Sequence, residues 1–167
     1  MQQRAITWRR ALRWLALGIA IALATVLAVG NNLGSAKELP AAAAGRTVHV
    51  IEHAITDTEV PLAPGGKDEK GDILTFNNPV FNTANTTQVA HDEGFCTRIQ
   101  VKLGIWECLW TTFLKGGQIT VQGPYYDSRN SVLTITGGTG IYDGARGEMK
   151  LLARDGGKEY DFIFELL

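Results

Sequence analysis

The sequence predicts an all-β fold, and three observations support this prediction. After residue 45, apolar and polar residues alternate with a period of two, most clearly in Tyr160-Asp161-Phe162-Ile163-Phe164-Glu165-Leu166. Groups of Gly, Pro, Asn and Asp separate these stretches at regular intervals, as is typical of turns between short strands. No window of this region has the apolar periodicity of an amphipathic helix. The pattern predicts eight or so antiparallel strands, in a β-sandwich or a closed β-barrel.

The predicted strands follow one another along the chain. They cover residues 47–53, 71–76, 87–91, 94–103, 105–114, 117–123, 131–136, 148–154 and 160–166. Turns are predicted at Pro64-Gly65-Gly66, Asn77-Asn78-Pro79, Lys115-Gly116-Gly117, Asp127-Ser128-Arg129-Asn130 and Asp155-Gly156-Gly157. Some strands, such as 105–110, are apolar on both faces, which suggests that both surfaces are covered. A barrel with a filled lumen and an outer wall packed on other subunits would have this pattern.

The first 36 residues form a separate segment. Four arginines precede an apolar run over 15–29, and Leu33-Gly34-Ser35-Ala36 follows as a small-residue cleavage site. This arrangement predicts a secretory signal peptide or, if it stays uncleaved, a membrane anchor over residues 14–30. The Ala-rich stretch 37–45 is then a tether, and 46–167 is the folded domain. The domain is expected outside the cytoplasm, secreted or anchored, with the N-terminal segment as its only contact with a membrane.

The charge balance argues against a nucleic-acid partner. All 17 acidic residues follow the N-terminal segment, which contains four of the 16 basic ones. The remaining chain therefore has 12 basic and 17 acidic residues, a net charge of −5, and no sign of the basic face that phosphate binding needs.

A glycine-rich run from Gly137 to Gly147 allows two interpretations. A phosphate-binding loop would need a helix directly after the glycines, but Gly144 and Gly147 lie where that helix would have to propagate. We therefore interpret the run as a place where barrel strands approach closely, and expect no nucleotide.

Glu52 is the most informative single residue. It shares a strand face with Val48 and Val50, so its carboxyl group is expected to point into the apolar interior with a raised pKa. Such groups concentrate at functional sites. The alternative is a structural residue at the strand end, in water or paired with an arginine such as Arg98.

Cys96 and Cys108 lie on two successive predicted strands. Folding this hairpin about residue 102 places the two cysteines opposite each other, so a cross-strand disulfide is geometrically allowed and is favoured in an exported chain. Free buried thiols, or one reactive thiolate in the lumen, are the alternatives.

The histidines do not predict a metal site. On a strand, His49 and His53 would lie about 13 Å apart, too far to share one ion. His91 is the only other histidine, and no Cys-x-x-Cys pair is present.

Four motifs in order resemble the allene oxide cyclase family, and the related dirigent proteins share the glycine-rich one. The motifs are Gly71-Asp72-Ile-Leu-Thr-Phe76-Asn-Asn78, Gly94-Phe95-Cys96, Val121-Gln-Gly-Pro-Tyr125 and Ile135-Thr-Gly-Gly-Thr-Gly-Ile141-Tyr-Asp-Gly-Ala-Arg-Gly147. The resemblance implies a single eight-stranded antiparallel β-barrel over 46–167 with a hydrophobic cavity. It also implies a homotrimer, as in the plant cyclases.

The resemblance also implies a reaction and its residues. The plant cyclases direct an allene oxide to close to a cyclopentenone without a cofactor. By motif, the catalytic residues would be Glu52, which promotes epoxide opening, Asn78, which holds a water that steadies the epoxide oxygen, and Tyr125. Phe76, Cys96 and Arg98 would contact the substrate. Ala54 stands where the family has a second water-holding asparagine.

We therefore expect an exported barrel that binds a hydrophobic small molecule and steers an intramolecular cyclisation, as an isomerase. Two alternatives stay open from the sequence. One is a non-catalytic module that binds lipophilic molecules. The other is a dirigent-type protein that gives stereocontrol to radical coupling.

Overall fold

The computed structural model describes residues 45–167, which form nine antiparallel strands and one short 3₁₀ turn. The strands are β1 Arg46–His53, β2 Thr58–Val60, β3 Ile73–Phe81, β4 Gln88–Gln100, β5 Ile105–Leu114, β6 Gly117–Tyr126, β7 Ser131–Gly140, β8 Gly147–Arg154 and β9 Glu159–Leu166, with the 3₁₀ turn at Asp155–Gly157. The predicted signal or anchor segment lies outside the described residues. Within residues 45–167, no helix is long and apolar enough to cross a bilayer.

Eight of the strands close into a barrel. The order is β1-β9-β8-β7-β6-β5-β4-β3, and β3 returns to β1 to complete the ring. That last seam has two paired positions, Ile51 with Phe81 and Glu52 with Val80, whereas β1 and β9 pair over eight. The short strand β2 pairs with the part of β3 that β1 leaves free. In this pairing, Thr58 lies opposite Thr75. The prediction of an eight-stranded antiparallel barrel is confirmed.

The period-two pattern sorts side chains between lumen and outside. The lumen is filled by large apolar residues, among them Trp106, Trp110, Met149, Phe162 and Phe164, each at most 3 % exposed. On the outer wall, alternate positions of β4 and β5 leave Phe95 and Leu109 partly exposed to solvent. The expectation that other subunits cover this wall stays a prediction.

Two sequence predictions about strand ends are wrong. The strands predicted at 87–91 and 94–103 are one continuous strand, β4, which ends at Gln100, and residues 101–103 belong to the turn that follows. Asn77-Asn78-Pro79 is not a turn but lies inside β3, where Pro79 pairs with His91. Proline is tolerated here because Pro79 lies between the part of the β3 edge covered by β2 and the part covered by β1. The missing amide therefore falls near a gap between neighbouring strands.

The glycine-rich run covers the end of β7, which stops at Gly140, the turn that follows, and Gly147 at the start of β8. A Cβ atom on Gly138 would come within 2.4 Å of the Tyr142 carbonyl oxygen and 2.7 Å of the Gln118 carbonyl oxygen. A Cβ on the adjacent Gly137 would have no atom within 4 Å. The close approach expected from the sequence therefore occurs at Gly138.

This pair of glycines gives a matched test of the corner. We expect Gly138→Ala to lower the free energy of unfolding by about 2 kcal/mol, because the methyl group forces two backbone carbonyls apart. Gly137→Ala should change it by no more than about 0.5 kcal/mol, because nothing opposes the methyl group. Urea unfolding followed by tryptophan fluorescence measures both. Equal effects of the two substitutions would contradict the packing described for Gly138.

Candidate functional site

A pocket opens into one end of the barrel lumen. Its cavity volume is small, about 40 Å³, and the space at its mouth is continuous with solvent. The lining residues come from seven barrel strands and the loop after β1: Glu52, Asp57, Leu74, Phe76, Cys96, Cys108, Trp110, Tyr125, Leu151, Tyr160 and Phe162. The walls are therefore largely aromatic and aliphatic, with two acidic side chains at one side. This composition is typical of sites for small organic molecules.

Asn78 organises the acidic side of the pocket. Its amide nitrogen Nδ2 donates hydrogen bonds to Glu52 Oε1 (2.6 Å) and to Asp57 Oδ1 (2.7 Å). Its backbone N–H donates to Asp92 Oδ1 (3.0 Å). Three carboxyl groups from β1, the loop after β1 and β4 are thus attached to one residue of β3.

The other side of the Asn78 amide fixes the loop that follows β1. Oδ1 accepts hydrogen bonds from the backbone N–H groups of Ile55 (3.1 Å) and Thr56 (2.9 Å) and from the Thr56 hydroxyl (2.9 Å). This contact positions Asp57 at the pocket. Both the amide nitrogen and the amide oxygen of Asn78 are therefore hydrogen-bonded. In this structure the side chain connects the Glu52 and Asp57 carboxyl groups to the loop after β1.

The electrostatics of this cluster favour a protonated Glu52. Burial raises the pKa of Glu52 well above its ordinary value, and the nearby Asp92 and Asp57 raise it further, against the opposing effect of the Asn78 hydrogen bond. Burial also raises the pKa of Asp92, to about 7, and the Asn78 N–H only partly offsets this. Within the described residues no cation pairs with Glu52, Asp57 or Asp92.

Tyr125 and Tyr160 are in contact in the pocket lining, and Tyr160 lies beside Glu52, which is its partner in the register of β1 and β9. The hydroxyl oxygens of the two tyrosines are 2.9 Å apart in a shared hydrogen bond, and their rings meet edge to face. Burial raises the pKa of both phenols above the ordinary value. Both hydroxyls are therefore neutral hydrogen-bonding groups over the physiological pH range.

Cys96 and Cys108 form a disulfide within the pocket wall. The two residues are direct partners in the register of β4 and β5, with their Cα atoms 4.0 Å apart. The predicted disulfide is confirmed, and the pocket lining therefore contains a disulfide instead of two free thiols.

Arg98 lies outside the pocket lining, although the resemblance implied substrate contact. Its guanidinium stacks over the Trp106 ring at 3.8 Å and pairs with Asp68 (3.0 Å) and Asp127 (2.6 Å). Asp127 also accepts a hydrogen bond from the Trp106 indole N–H. Arg98 is therefore tied to a loop and a turn at the end of the barrel, and it does not pair with Glu52.

The histidines lie outside the pocket lining. His49 contacts Asp161 (2.8 Å), and His53 contacts Asn85 (2.7 Å) and Glu159 (3.4 Å). These contacts join β1 to β9 and to the turn after β3.

The structure brings most of the predicted site residues together and adds others. Glu52, Phe76, Cys96 and Tyr125 line one pocket, and Asn78 contacts Glu52 directly. Sequence reasoning missed Asp57, Asp92 and Tyr160. Tyr160 carried a usable signal, because it falls on the apolar face of the last strand. For Asp57, in a loop, the sequence offered no such signal.

Several solved structures are similar to this chain, among them the following three. A pyocyanin demethylase matches with 22 % identity and a TM-score of 0.62, covering 73 % of this chain and 100 % of that one. A pterocarpan synthase dirigent protein matches with 19 % identity and a TM-score of 0.58, covering 71 % and 82 %. An exo-specific intermolecular Diels-Alderase matches with 14 % identity and a TM-score of 0.51, covering 73 % and 98 %. At these identities the likeness shows a shared barrel fold.

The family assignment rests on the sequence itself. The allene oxide cyclase family model matches residues 43–154, which includes every strand except β9. The match covers most of the chain and contains all four motifs, together with Glu52, Asn78 and Tyr125. The chain belongs to the allene oxide cyclase family.

Proposed function

We propose that this protein binds a hydrophobic small molecule in the barrel lumen and directs its intramolecular cyclisation, with Glu52 as general acid. The observation that carries the proposal is the buried Glu52 carboxyl group, which faces an aromatic pocket and has no cationic partner among the described residues. Family membership supports the same reaction class. A dirigent protein and a Diels-Alderase among proteins of similar fold support a ligand-binding barrel that directs ring formation.

The chemistry follows from the charge state of Glu52. The neutral carboxyl donates its proton to an oxygen of the bound molecule, such as that of an epoxide, and the carbon–oxygen bond breaks. The resulting carboxylate then faces a positively charged intermediate, which the pocket walls hold folded until two of its carbons join. The cyclised cation then transfers a proton to the Glu52 carboxylate, which restores the neutral acid and leaves a neutral product. Reactant and product have the same composition, and the proposed steps consume no oxidant or reductant.

Asn78 and Tyr125 have supporting roles in this scheme. The Asn78 amide fixes the orientation of the Glu52 carboxyl through the 2.6 Å hydrogen bond. Tyr125, held by Tyr160, presents a neutral hydroxyl and an aromatic face to the ligand. Phe76 and the Cys96–Cys108 disulfide contribute apolar wall.

The test is a comparison of Glu52→Gln with the native protein. Epoxy-polyenes that cyclise spontaneously to racemic products serve as substrates, and chiral chromatography measures the enantiomeric ratio. We expect the native protein to enrich one enantiomer and Glu52→Gln to lower the catalysed rate by about 100-fold or more, with unchanged folding. Glu107→Gln makes the same replacement on the outer, exposed face of β5 and is the control.

A racemic product with the native protein, together with tight binding of the same compounds, would favour the non-catalytic binding module. Enrichment that appears only after addition of an external oxidase would favour the dirigent role. The export of the chain and the homotrimer are further parts of the proposal. The Cys96–Cys108 disulfide supports export, since such bonds persist in oxidising compartments.

A further inference from the structure

The walls and the charges of the pocket differ from those of a site for an organic anion. Five aromatic rings surround the pocket: Phe76, Trp110, Tyr125, Tyr160 and Phe162. The lining contains two ionisable acidic side chains, Glu52 and Asp57. It contains no lysine, arginine or histidine. The Glu52 side chain is 5 % exposed, and within the described residues its Oε2 atom has no hydrogen-bond partner.

Basic side chains near the mouth are engaged elsewhere. Arg98 is held by Asp68 and Asp127. Arg129 stacks on the Tyr126 ring at 3.8 Å, and Arg154 contacts Asp161 at 3.1 Å. A carboxylate that entered the pocket would therefore meet acidic groups without a free cation to neutralise it.

We propose that the pocket selects organic cations, with a flat or alkylated positively charged nitrogen, over neutral molecules of the same shape and over carboxylates. The inference rests on the proposed function, because it concerns the same pocket and names the class of molecule that binds there best. It also explains how the pocket would stabilise the cationic intermediate of a cyclisation.

Two interactions favour a cation at this place. Aromatic faces attract positive charge, and this attraction strengthens where water is excluded. Trp110 and Phe162 in the pocket lining are 3 % and 2 % exposed, so their surroundings are largely dry. The Glu52 carboxylate supplies an opposite charge in surroundings of low dielectric constant. A neutral molecule of equal shape gains the apolar contacts but neither of these terms.

Cation binding should depend on pH in a defined direction. The groups that face Glu52 are Asp57 from the loop after β1, Asn78 from β3, Asp92 from β4 and Tyr160 from β9. Burial and the two aspartates hold the Glu52 pKa high, so the free protein is protonated there at low pH. A cation binds the ionised form better and releases the proton, so its affinity rises with pH by up to tenfold per pH unit.

The experiment compares three probes of similar shape: N-methylquinolinium, 1-methylnaphthalene and 1-naphthoate. Dissociation constants at pH 5.5 and pH 8.0 come from the quenching of tryptophan fluorescence. At pH 8.0 we expect the cation to bind at least tenfold more tightly than 1-methylnaphthalene and the anion to bind most weakly. At pH 5.5 the advantage of the cation should be smaller.

Two variants locate the effect. Glu52→Gln should remove most of the preference for the cation and its pH dependence, while 1-methylnaphthalene still binds. Glu107→Gln, with the same charge change on the outer wall, should leave both unchanged. A preference that is equal in the two variants would overturn the proposal.

The outcomes also separate this inference from the proposed function. Equal binding of all three probes, or tightest binding of 1-naphthoate, overturns cation selection but leaves a pocket for hydrophobic molecules. Binding of the cation alone supports selection and contradicts a general site for apolar molecules. No binding of any probe at millimolar concentration overturns both.

Discussion

At pH 8, replacement of Asp92 by Asn is expected to raise the free energy of unfolding by about 3 kcal/mol. Asp92 is completely buried, and its Oδ2 atom has no hydrogen-bond partner among the described residues. Its pKa in the folded state is about 7, against an ordinary value of 3.8. A pKa difference of about three means that ionised Asp92 destabilises the folded protein by about 4 kcal/mol. Burial of the new amide group costs about 1 kcal/mol, so the net gain in stability is about 3 kcal/mol.

The sign of this effect depends on pH. Between about pH 4 and pH 7, folded Asp92 keeps a proton that the unfolded chain releases. Stability of the native protein therefore falls as pH rises through this range, and the whole loss is present above pH 7. Asn keeps the acceptor for the Asn78 N–H but carries no charge, so the variant lacks this loss. Below pH 4 the variant should be no more stable than the native protein.

Urea unfolding at pH 4, 6 and 8 measures the difference. Glu93→Gln is the control, because Glu93 is the next residue along β4 but is about half exposed, and its effect should stay within about 0.5 kcal/mol. If Asp92→Asn destabilises the protein at pH 8 as strongly as at pH 4, Asp92 is not the uncompensated acid described above.

The second large effect is expected at Asn78. Asn78→Ala should lower the free energy of unfolding by about 3 to 5 kcal/mol, because a buried amide that contacts two carboxyl groups and the loop after β1 is lost. The backbone N–H to Asp92 remains in the variant. The Glu52 pKa should rise further, since the hydrogen bond that opposed its increase is gone.

Asn77→Ala is the matched control for Asn78→Ala. The Asn77 side chain makes one exposed hydrogen bond, to Glu93 at 3.3 Å, so its removal should cost less than about 0.5 kcal/mol. Thermal unfolding ranks the two variants, and carboxyl ¹³C shifts follow Glu52 through a pH titration. A loss of less than about 1 kcal/mol for Asn78→Ala would contradict its role as the organiser of the acidic cluster.

Strands could be predicted from the sequence where the residue pattern of the strand itself determines its position. Strand β5 has the predicted bounds, and the disulfide followed from the symmetry of a single hairpin. The turn prediction at Asn77-Asn78-Pro79 failed because each residue is a turn former in isolation, whereas here the edge of β3 changes partner around Pro79. Local propensity carries no information about such a distant neighbour.

The candidate site could be predicted only in part, because a local residue pattern identifies some of its residues and not others. Glu52 was identified by its strand face alone, since an acid between apolar inward positions is unusual. Asp57 and Asp92 could not be found this way. Their importance comes from contacts with Asn78, which lies 21 and 14 residues away along the chain. Such contacts exist only once the barrel has closed.

The Cys96–Cys108 disulfide has a consequence for the chemical inertness of the pocket. Thiolates are the strongest nucleophiles among ordinary side chains, and two free cysteines at this place would be open to alkylation by an electrophilic guest such as an epoxide. In the oxidised protein, the described residues contain no free cysteine. A reactive molecule held against this wall therefore meets no thiolate that could form a covalent bond with it, and this route to inactivation of the barrel is closed.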